Sequence, residues 1–518
     1  MKNYILYNII YNQMTEYKVG ILILQNNRTY GQYKSNISYY KCISNEGEII
    51  YIPYRLKNAF NKYLYNKYVV YDVVSRQNNR INGKIIEIIG DVNDTRAFNR
   101  YEIYCKKLYE YVSNKKINKL QYKINKSNID IEYIVNKYNI RDKRHIENIY
   151  TIDPHNSVDL DDAFSINMIT NNIVNVSIYI ANVSIILDYL DLWNDLTERI
   201  STLYLPRNKL VMLPNILSDN ICSLLENEER IVFTISINID IINYKILEYN
   251  FSNDIIIVKK NYRYEEDELL SNLNYKYMFK TVFELNQKDH CLDKIEDSHD
   301  MIAYLMILMN YLSSRHLKRS KRGIYKTVIS DKEYILPKKE LPTDIQHFLK
   351  SWNTILSSYT NFEKHGRHDL LNLDSYIQIT SPIRRIIDLL NLISFQQLMK
   401  VNLDKKCIDF YDKWSSKLEY INTTMKSIRH VQNNTFLINK FTYHTNEMLT
   451  LHDGFIFERE KNDENTFKYL VYLPKFKLVQ SFIINNDHLE INETYKFKIF
   501  VFNDEFSLKK KIKLQIII

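Results

Sequence analysis

At 518 residues the chain is long enough for about three domains and a large core, and 70 Lys and Arg against 61 Asp and Glu leave a net charge of +9, which permits a polyanionic partner without requiring one. Its five cysteines, Cys42, Cys105, Cys222, Cys291 and Cys407, are scattered, odd in number and free of CxxC pairing, which argues against a disulfide framework or a zinc knuckle and for a reducing compartment. The opening MKNYILYNIIYNQMTEYK lacks a signal peptide's apolar core and small-residue cleavage site, and the longest apolar stretch, IAYLMILMNYL, is too short to span a bilayer, so a cytoplasmic protein without a membrane span is expected.

Short alternating runs come first: KVGILIL (18–24), EIIYIPY (48–54), KYVVYDVVS (67–75) and GKIIEIIG (83–90). Period-two patterning with polar spacers predicts a small antiparallel barrel over residues 1–95. A helical stretch at about 96–113, then the Lys- and Asn-rich NKKINKLQYKINKSN, predict a helical and polar connector over 96–146. With 43 Tyr beside 8 Gly and 8 Pro, any lone tyrosine is a weak signal.

Residues 151–164 then place four carboxylates, Asp153, Asp159, Asp161 and Asp162, in a ten-residue span between apolar flanks. Carboxylates held a few ångströms apart raise one another's pKa unless a hard divalent cation takes their oxygens, so a magnesium-type site is the natural reading. In an extended strand Asp159 and Asp161 would face one side and Asp162 the other, so convergence requires a bend. A helix–loop–helix calcium site fits poorly: the twelfth residue from Asp153 or Asp159 is Phe164 or Thr170, where a Glu is needed. A solvated acidic loop would not need Ile152, Ala163, Phe164 and Ile166 against it.

AFSINMI and IVNVSIYIANV around Thr170-Asn171-Asn172 predict a hairpin directly after the acidic loop. Tyr204-Leu205-Pro206 through Cys222-Ser223-Leu224 reads as a Pro-punctuated loop that by itself demands no chemistry. Three- and four-residue apolar spacing predicts helices at 293–318 and 382–433. In Thr380-Ser381-Pro382-Ile383-Arg384-Arg385, Ser381 as N-cap and Pro382 as first helical residue predict a helix start. Arginines in a first turn are electrostatically awkward unless an anion binds there, which makes this a phosphate-site candidate beside the simpler reading of a capped helix with solvated arginines. The last seventy or so residues (GFIFERE, KYLVYLP, VQSFIIN, YKFKIFVFN, KIKLQIII) predict a second small barrel.

TIDPHNSVDLDDAFSI, YLPRNKLVMLPNILSDNICSL and YIQITSPIRRIIDLL, in this order and spacing, resemble the metal-binding loop, tyrosine-bearing loop and arginine-bearing helix start of the ribonuclease II family of RNB-domain exoribonucleases. With fainter echoes such as NYRYEEDELL and SHDMIAYLMILMN, the resemblance covers roughly residues 16–518. It implies an α+β multidomain chain: a cold-shock-like OB barrel over 1–95, the connector over 96–146, a mixed α/β RNB-type catalytic domain over 147–440, and an OB-type RNA-binding barrel over 441–518.

The activity implied is magnesium-dependent (manganese as the possible substitute) 3′→5′ hydrolysis of single-stranded RNA to nucleoside 5′-monophosphates by a two-metal mechanism. Carried over by motif, Asp153, Asp159, Asp161 and Asp162 would hold metal, and Asp161 and Arg384 would serve the chemical step. Tyr204, Tyr264, Arg384 and Arg385 would contact RNA, Tyr204 by stacking on the 3′-terminal base and Tyr264 by selecting the ribose. The chain departs from the family at Ala303 and Tyr304, where relatives carry acids, and at Asn182, where they carry Asp, which weakens the expected discrimination of RNA from DNA. A catalytically degenerate RNA binder is the alternative, and another metal phosphohydrolase would leave the flanking barrels without a purpose.

Overall fold

The computed structural model describes residues 18–56, 64–77, 80–108, 114–127, 129–196, 198–331, 337, 339–443, 445–463, 466–485, 488–504 and 510–517. The opening residues read for a signal peptide lie outside these, apart from Lys18.

The amino-terminal strands close into a ring. Lys18–Leu22 pairs on one side with Lys67–Gln77 and on the other with Ile37–Ser44. Arg80–Asp91 and Ile49–Tyr54 complete the circuit, the last two touching through a parallel bridge at Tyr51 and Asn82. Inward alternation buries Leu22, Cys42, Ile50, Ile52 and Val69 in the barrel core. Ile37–Ser44 is a strand that the patterning of the neighbouring runs did not single out.

Helices follow at Thr95–Cys105, Asn114–Lys126 and Ile131–Tyr138. Asp94 and Asp130 cap the first and third by accepting from the amides of Arg96 and Tyr133. The Lys- and Asn-rich segment is thus helical, and Leu120 and Ile124, one turn apart, form its buried stripe.

The centre is a seven-stranded sheet in the order Lys260–Arg263, Tyr150–Asp153, Asp162–Thr170, Ile173–Ala181, Glu229–Asp240, Lys245–Ile257 and Arg141–Asp142, parallel only at its two outermost pairs. The hairpin predicted around Asn171-Asn172 joins the third and fourth of these strands. Period-two alternation splits the sheet's apolar residues. Phe164, Ile178 and Ile180 pack with Met301 and Leu305 of the helix Ser298–Arg319. Ala163, Tyr179 and Ala181 face the opposite core. The helix Ile386–Leu398 is apolar on two sides and is buried in both cores, through Leu390 and Ile393 on one side and Leu392 and Phe395 on the other.

Helices Lys405–Ser415 and Leu418–Tyr443 lead to the last sheet, ordered Leu478–Ile484, Thr466–Leu473, His452–Asp463, Glu493–Asn503 and Lys510–Ile517. It curls into a near-closed OB-type barrel around Ile456, Val471 and Phe497, with Phe441 of the long helix in the same core. The long helix also packs on the helix Thr95–Cys105 beside the first barrel: Ile438 shares a core with Phe98 and the barrel's Val19 and Tyr68, and Asn439 donates to Asn99 at 2.9 Å. No helix among the described residues is long and apolar enough to cross a membrane.

Candidate active site

The strand Tyr150–Asp153 ends at the first carboxylate, the chain bends through Pro154–Asp161, and the next strand starts at Asp162, which supplies the required bend. Ser223 holds the loop from below: its hydroxyl accepts from the amide of Leu160 at 3.1 Å and donates to the carbonyl of Val158 at 2.7 Å. The Cys222-Ser223-Leu224 segment, chemically mute in the sequence, is therefore the loop's anchor.

Asp153, Asp159, Asp161 and Asp162 line one cavity of about 780 Å³ together with Tyr204, Tyr264, Arg384 and Arg385. Burial pushes the Asp161 carboxyl up to about 7, against the opposing pull of Arg384 and the Ile383 amide. Burial, then the charges of Asp153 and Asp161, hold Asp162 well above the usual carboxylate range. Asp153 is raised for the same first reason, and its Oδ2 has no hydrogen-bond partner. Buried, mutually repelling, acceptor-only oxygens are the chemistry that a hard divalent cation satisfies, so the donor set fits one. As placed, no group of three or more His, Cys, Asp or Glu among the described residues could hold an ion. The oxygens of Asp159 and Asp161 are turned onto other donors. Asp159 accepts from the Tyr204 hydroxyl at 2.5 Å and from Lys209 Nζ at 3.2 Å. Asp161 accepts from the Ile383 amide at 3.0 Å and Arg384 Nε at 2.9 Å.

The arginine segment departs from expectation. The helix begins at Ile386, not at Pro382, and Arg385 occupies the N-cap with φ −138° and no side-chain cap. Ser381 is not a cap: its amide donates to Asp388 at 2.9 Å, and its carbonyl closes a turn by accepting from the amides of Arg384 and Arg385. The Ile383 amide, expected to meet a phosphate at a helix start, meets Asp161 instead. Arg384 leans on Asp161 and on the Ser381 hydroxyl, while Arg385 lines the cavity with its Nη2 on Asp388 at 2.7 Å.

Tyr204 sits on a two-stranded hairpin, Leu203–Leu205 with Asn208–Leu210, directly opposite Lys209. Tyr264 follows the edge strand; its amide donates to the carbonyl of Asp153 at 3.2 Å, and its ring centroid lies 5.0 Å from that of His299. Ala303 lines the cavity, whereas Tyr304 is buried elsewhere with its hydroxyl on Asp289 at 2.6 Å. Asn182 is also remote in role: it caps the helix Val183–Tyr189 and donates to Asn253 at 2.8 Å.

Lys209, His299 and Asn310 are site residues that sequence reasoning missed. A signal existed for two of them: His299, Ala303, Met306 and Asn310 recur at four, three and four, one face of one helix. Lys209 carried none, since its partners are distant in sequence.

Comparison with known proteins agrees with this architecture. Residues 139–276 match the RNB domain. Ribonuclease R of Chlamydia pneumoniae is 25% identical over 405 residues, covering 63% of this chain and 58% of that relative, so the match spans little more than half the relative's length. Among solved structures, Mycoplasma genitalium RNase R in complex with double-stranded RNA aligns with a TM-score of 0.69 at 16% identity, covering 96% of this chain and 95% of that one. Yeast Ssd1, a pseudonuclease, aligns at 0.67 and 14% identity over 94% of this chain and 66% of its own. The domain match over residues 139–276 and the shared fold make this chain similar to the RNB-domain, or ribonuclease II, proteins.

Proposed function

We propose that this chain is a divalent-metal-dependent 3′→5′ exoribonuclease that hydrolyses single-stranded RNA to nucleoside 5′-monophosphates. The observation that carries the reading is the convergence of four aspartates, Arg384, Tyr204 and Tyr264, drawn from separate segments, on one cavity. Magnesium, or manganese in its place, would be held by Asp153, Asp159, Asp161 and Asp162, and when bound supplies charge neutralisation at the attacking and leaving oxygens of an in-line displacement.

The protein's own groups divide the remaining work. Arg384 presents a planar guanidinium beside Asp161, suited to charge that develops on a phosphate. Tyr204, 39% exposed, would offer a ring face for the terminal base, and Tyr264, lining the same cavity, would contact the ribose. Residues 147–440 would be the catalytic domain, and the barrels at 1–95 and 441–518 would hold the strand. The first barrel has stacking surface for this: the Arg80 guanidinium lies 5.0 Å and 4.5 Å from the ring centroids of Tyr39 and Tyr51. Five scattered cysteines without CxxC pairing, three of them buried, are in keeping with a reducing, cytoplasmic setting.

A second reading, an RNA-binding protein that does not cut, draws on the engagement of both Asp159 oxygens by Tyr204 and Lys209 and on the likeness to a pseudonuclease. Single-stranded RNA labelled at either end, incubated with the purified protein in Mg²⁺ or in chelator, separates the two. Shortening from the 3′ end to mononucleotides and a very short core, abolished by chelator, supports the exonuclease. Undiminished cleavage in chelator or internal cuts in circular RNA would exclude it, and binding without any turnover would establish the second reading.

A further inference from the structure

Tyr204 and Lys209 are cross-strand partners in a hairpin, so their side chains leave the same face, and both end on Asp159. Lys209 Nζ has a second acid as well, Asp219, whose Oδ1 it meets at 2.8 Å, closer than the 3.2 Å to Asp159. Asp219 is itself steadied by the Ser218 hydroxyl at 2.6 Å. The lysine and Asp159 side chains are only 22% and 9% exposed, so water screens this contact little.

We propose that Lys209 is a tethered counter-ion of Asp159 that a divalent cation must displace, with Asp219 as the partner that retains it; this rests on the metal-dependent reading above. A carboxylate whose charge is already compensated by an ammonium, with a phenol on its other oxygen, attracts a metal less strongly than a free one. An ammonium left beside a metal ion would add like-charge repulsion. Because Asp219 already holds Lys209 more closely, the ammonium leaves Asp159 without becoming an unpaired buried charge, which keeps the displacement inexpensive. Lys209 thus acts as a positioning residue that sets how much metal the site needs, and it acts through Asp159.

The test is Mg²⁺ binding by calorimetric titration of the full chain, a readout independent of turnover. Lys209→Gln should bind Mg²⁺ about tenfold more tightly than wild type. Lys209→Arg should stay within about twofold, because the charge is kept. Added to Asp159→Asn, the Lys209→Gln change should have no effect, as expected when its action passes through that carboxylate. Should Lys209→Gln fold poorly by circular dichroism, Lys209→Met, which keeps the apolar stem, replaces it. Unchanged Mg²⁺ affinity in the neutral variant, or the same gain in the Asp159→Asn background, overturns the proposal. If RNA is degraded with Mg²⁺ while the neutral variant binds no better, this inference alone falls. If wild type neither binds Mg²⁺ nor degrades RNA, the metal-dependent reading falls with it.

Discussion

Arg384 Nε donates to Asp161 Oδ2 across 2.9 Å, joining residues 223 positions apart in the chain. Asp161 is buried at 2% side-chain exposure, while Arg384 keeps 39% of its side chain open toward the cavity. In the proposed function, the group that would meet the phosphate is thus paired with the carboxylate that would serve the chemical step, and each compensates the other's charge.

Replacing Arg384 with Ala should lower single-turnover cleavage by about 10²-fold or more, with RNA affinity changed only a few-fold, because an oriented donor helps most as charge develops. Lys should not rescue, since it lacks the planar fork. The same variant strands Asp161 without its partner, at a cost on the order of 3 kcal/mol in the metal-free protein, read as a lower denaturant midpoint. Sharply weaker binding with unchanged cleavage would make Arg384 a positioning contact instead.

Asp161→Asn should abolish hydrolysis and leave RNA affinity nearly intact. Binding is spread over phosphate contacts and stacking worth about 1–3 kcal/mol per base, of which one carboxylate is a small part. Equal turnover by variant and wild type refutes the role. Under the non-cutting reading, neither protein turns over.

The acid cluster predicts an unusual pH dependence of stability. Asp161 titrates at about 7 in the fold, against about 3.9 in an unfolded chain. Between those values the folded, metal-free protein holds a proton that the unfolded chain has released, so its stability falls as pH rises from about 4 to about 7 and then levels. Asp153 and Asp162 are shifted in the same direction and add to the fall. Three units at about 1.4 kcal/mol each bound the Asp161 share at about 4 kcal/mol. Metal-free Tm should drop between pH 5 and 7.5, Mg²⁺ should restore it mainly at the upper end, and Asp161→Asn should flatten the profile. A metal-free Tm that climbs over this range would contradict the cluster's electrostatics.

What was legible in the sequence was local. Period-two runs foretold both barrels, Asn171-Asn172 foretold its hairpin, and the Asp loop's crowding foretold a bend and a shared cavity. What was not legible depended on distant partners. Ser381-Pro382 is a sound helix start by local preference, worth about 1 kcal/mol, yet Asp388 takes the Ser381 amide and Asp161 takes that of Ile383, so the helix waits until Ile386. Lys209 reads as an ordinary surface lysine until the hairpin sets it against Asp159, fifty residues earlier. The polar segment at 114–126 hides a helix because, among its described side chains from 120 on, only Leu120 and Ile124 are buried.

Ala303 and Tyr304, where the resemblance leads to an expectation of acids, separate cleanly in space. Ala303 lies on the cavity wall one helical turn from His299, whose ring stands 5.0 Å from that of Tyr264. Tyr304, one residue on, points into the core and is 1% exposed. A glutamate at 303 would face the cavity where the proposed function puts the ribose; one at 304 would be buried next to Asp289, which now accepts the Tyr304 hydroxyl. Because a 2′-hydroxyl distinguishes RNA from DNA only where a group is placed to read it, the wild type should degrade single-stranded DNA, or be trapped by it, more readily than its resemblance to RNB-domain ribonucleases implies. Ala303→Glu should widen the RNA-to-DNA ratio of kcat/KM by about tenfold, the effect of a hydrogen bond worth about 1.4 kcal/mol. Tyr304→Glu should destabilise the fold by several kcal/mol through a buried charge facing the like charge of the exposed Asp289, and leave that ratio unchanged in whatever protein remains folded. Matched RNA and DNA oligonucleotides decide it: if Ala303→Glu does not move the ratio, position 303 does not read the sugar, and discrimination must rest on Tyr264 and its neighbour His299.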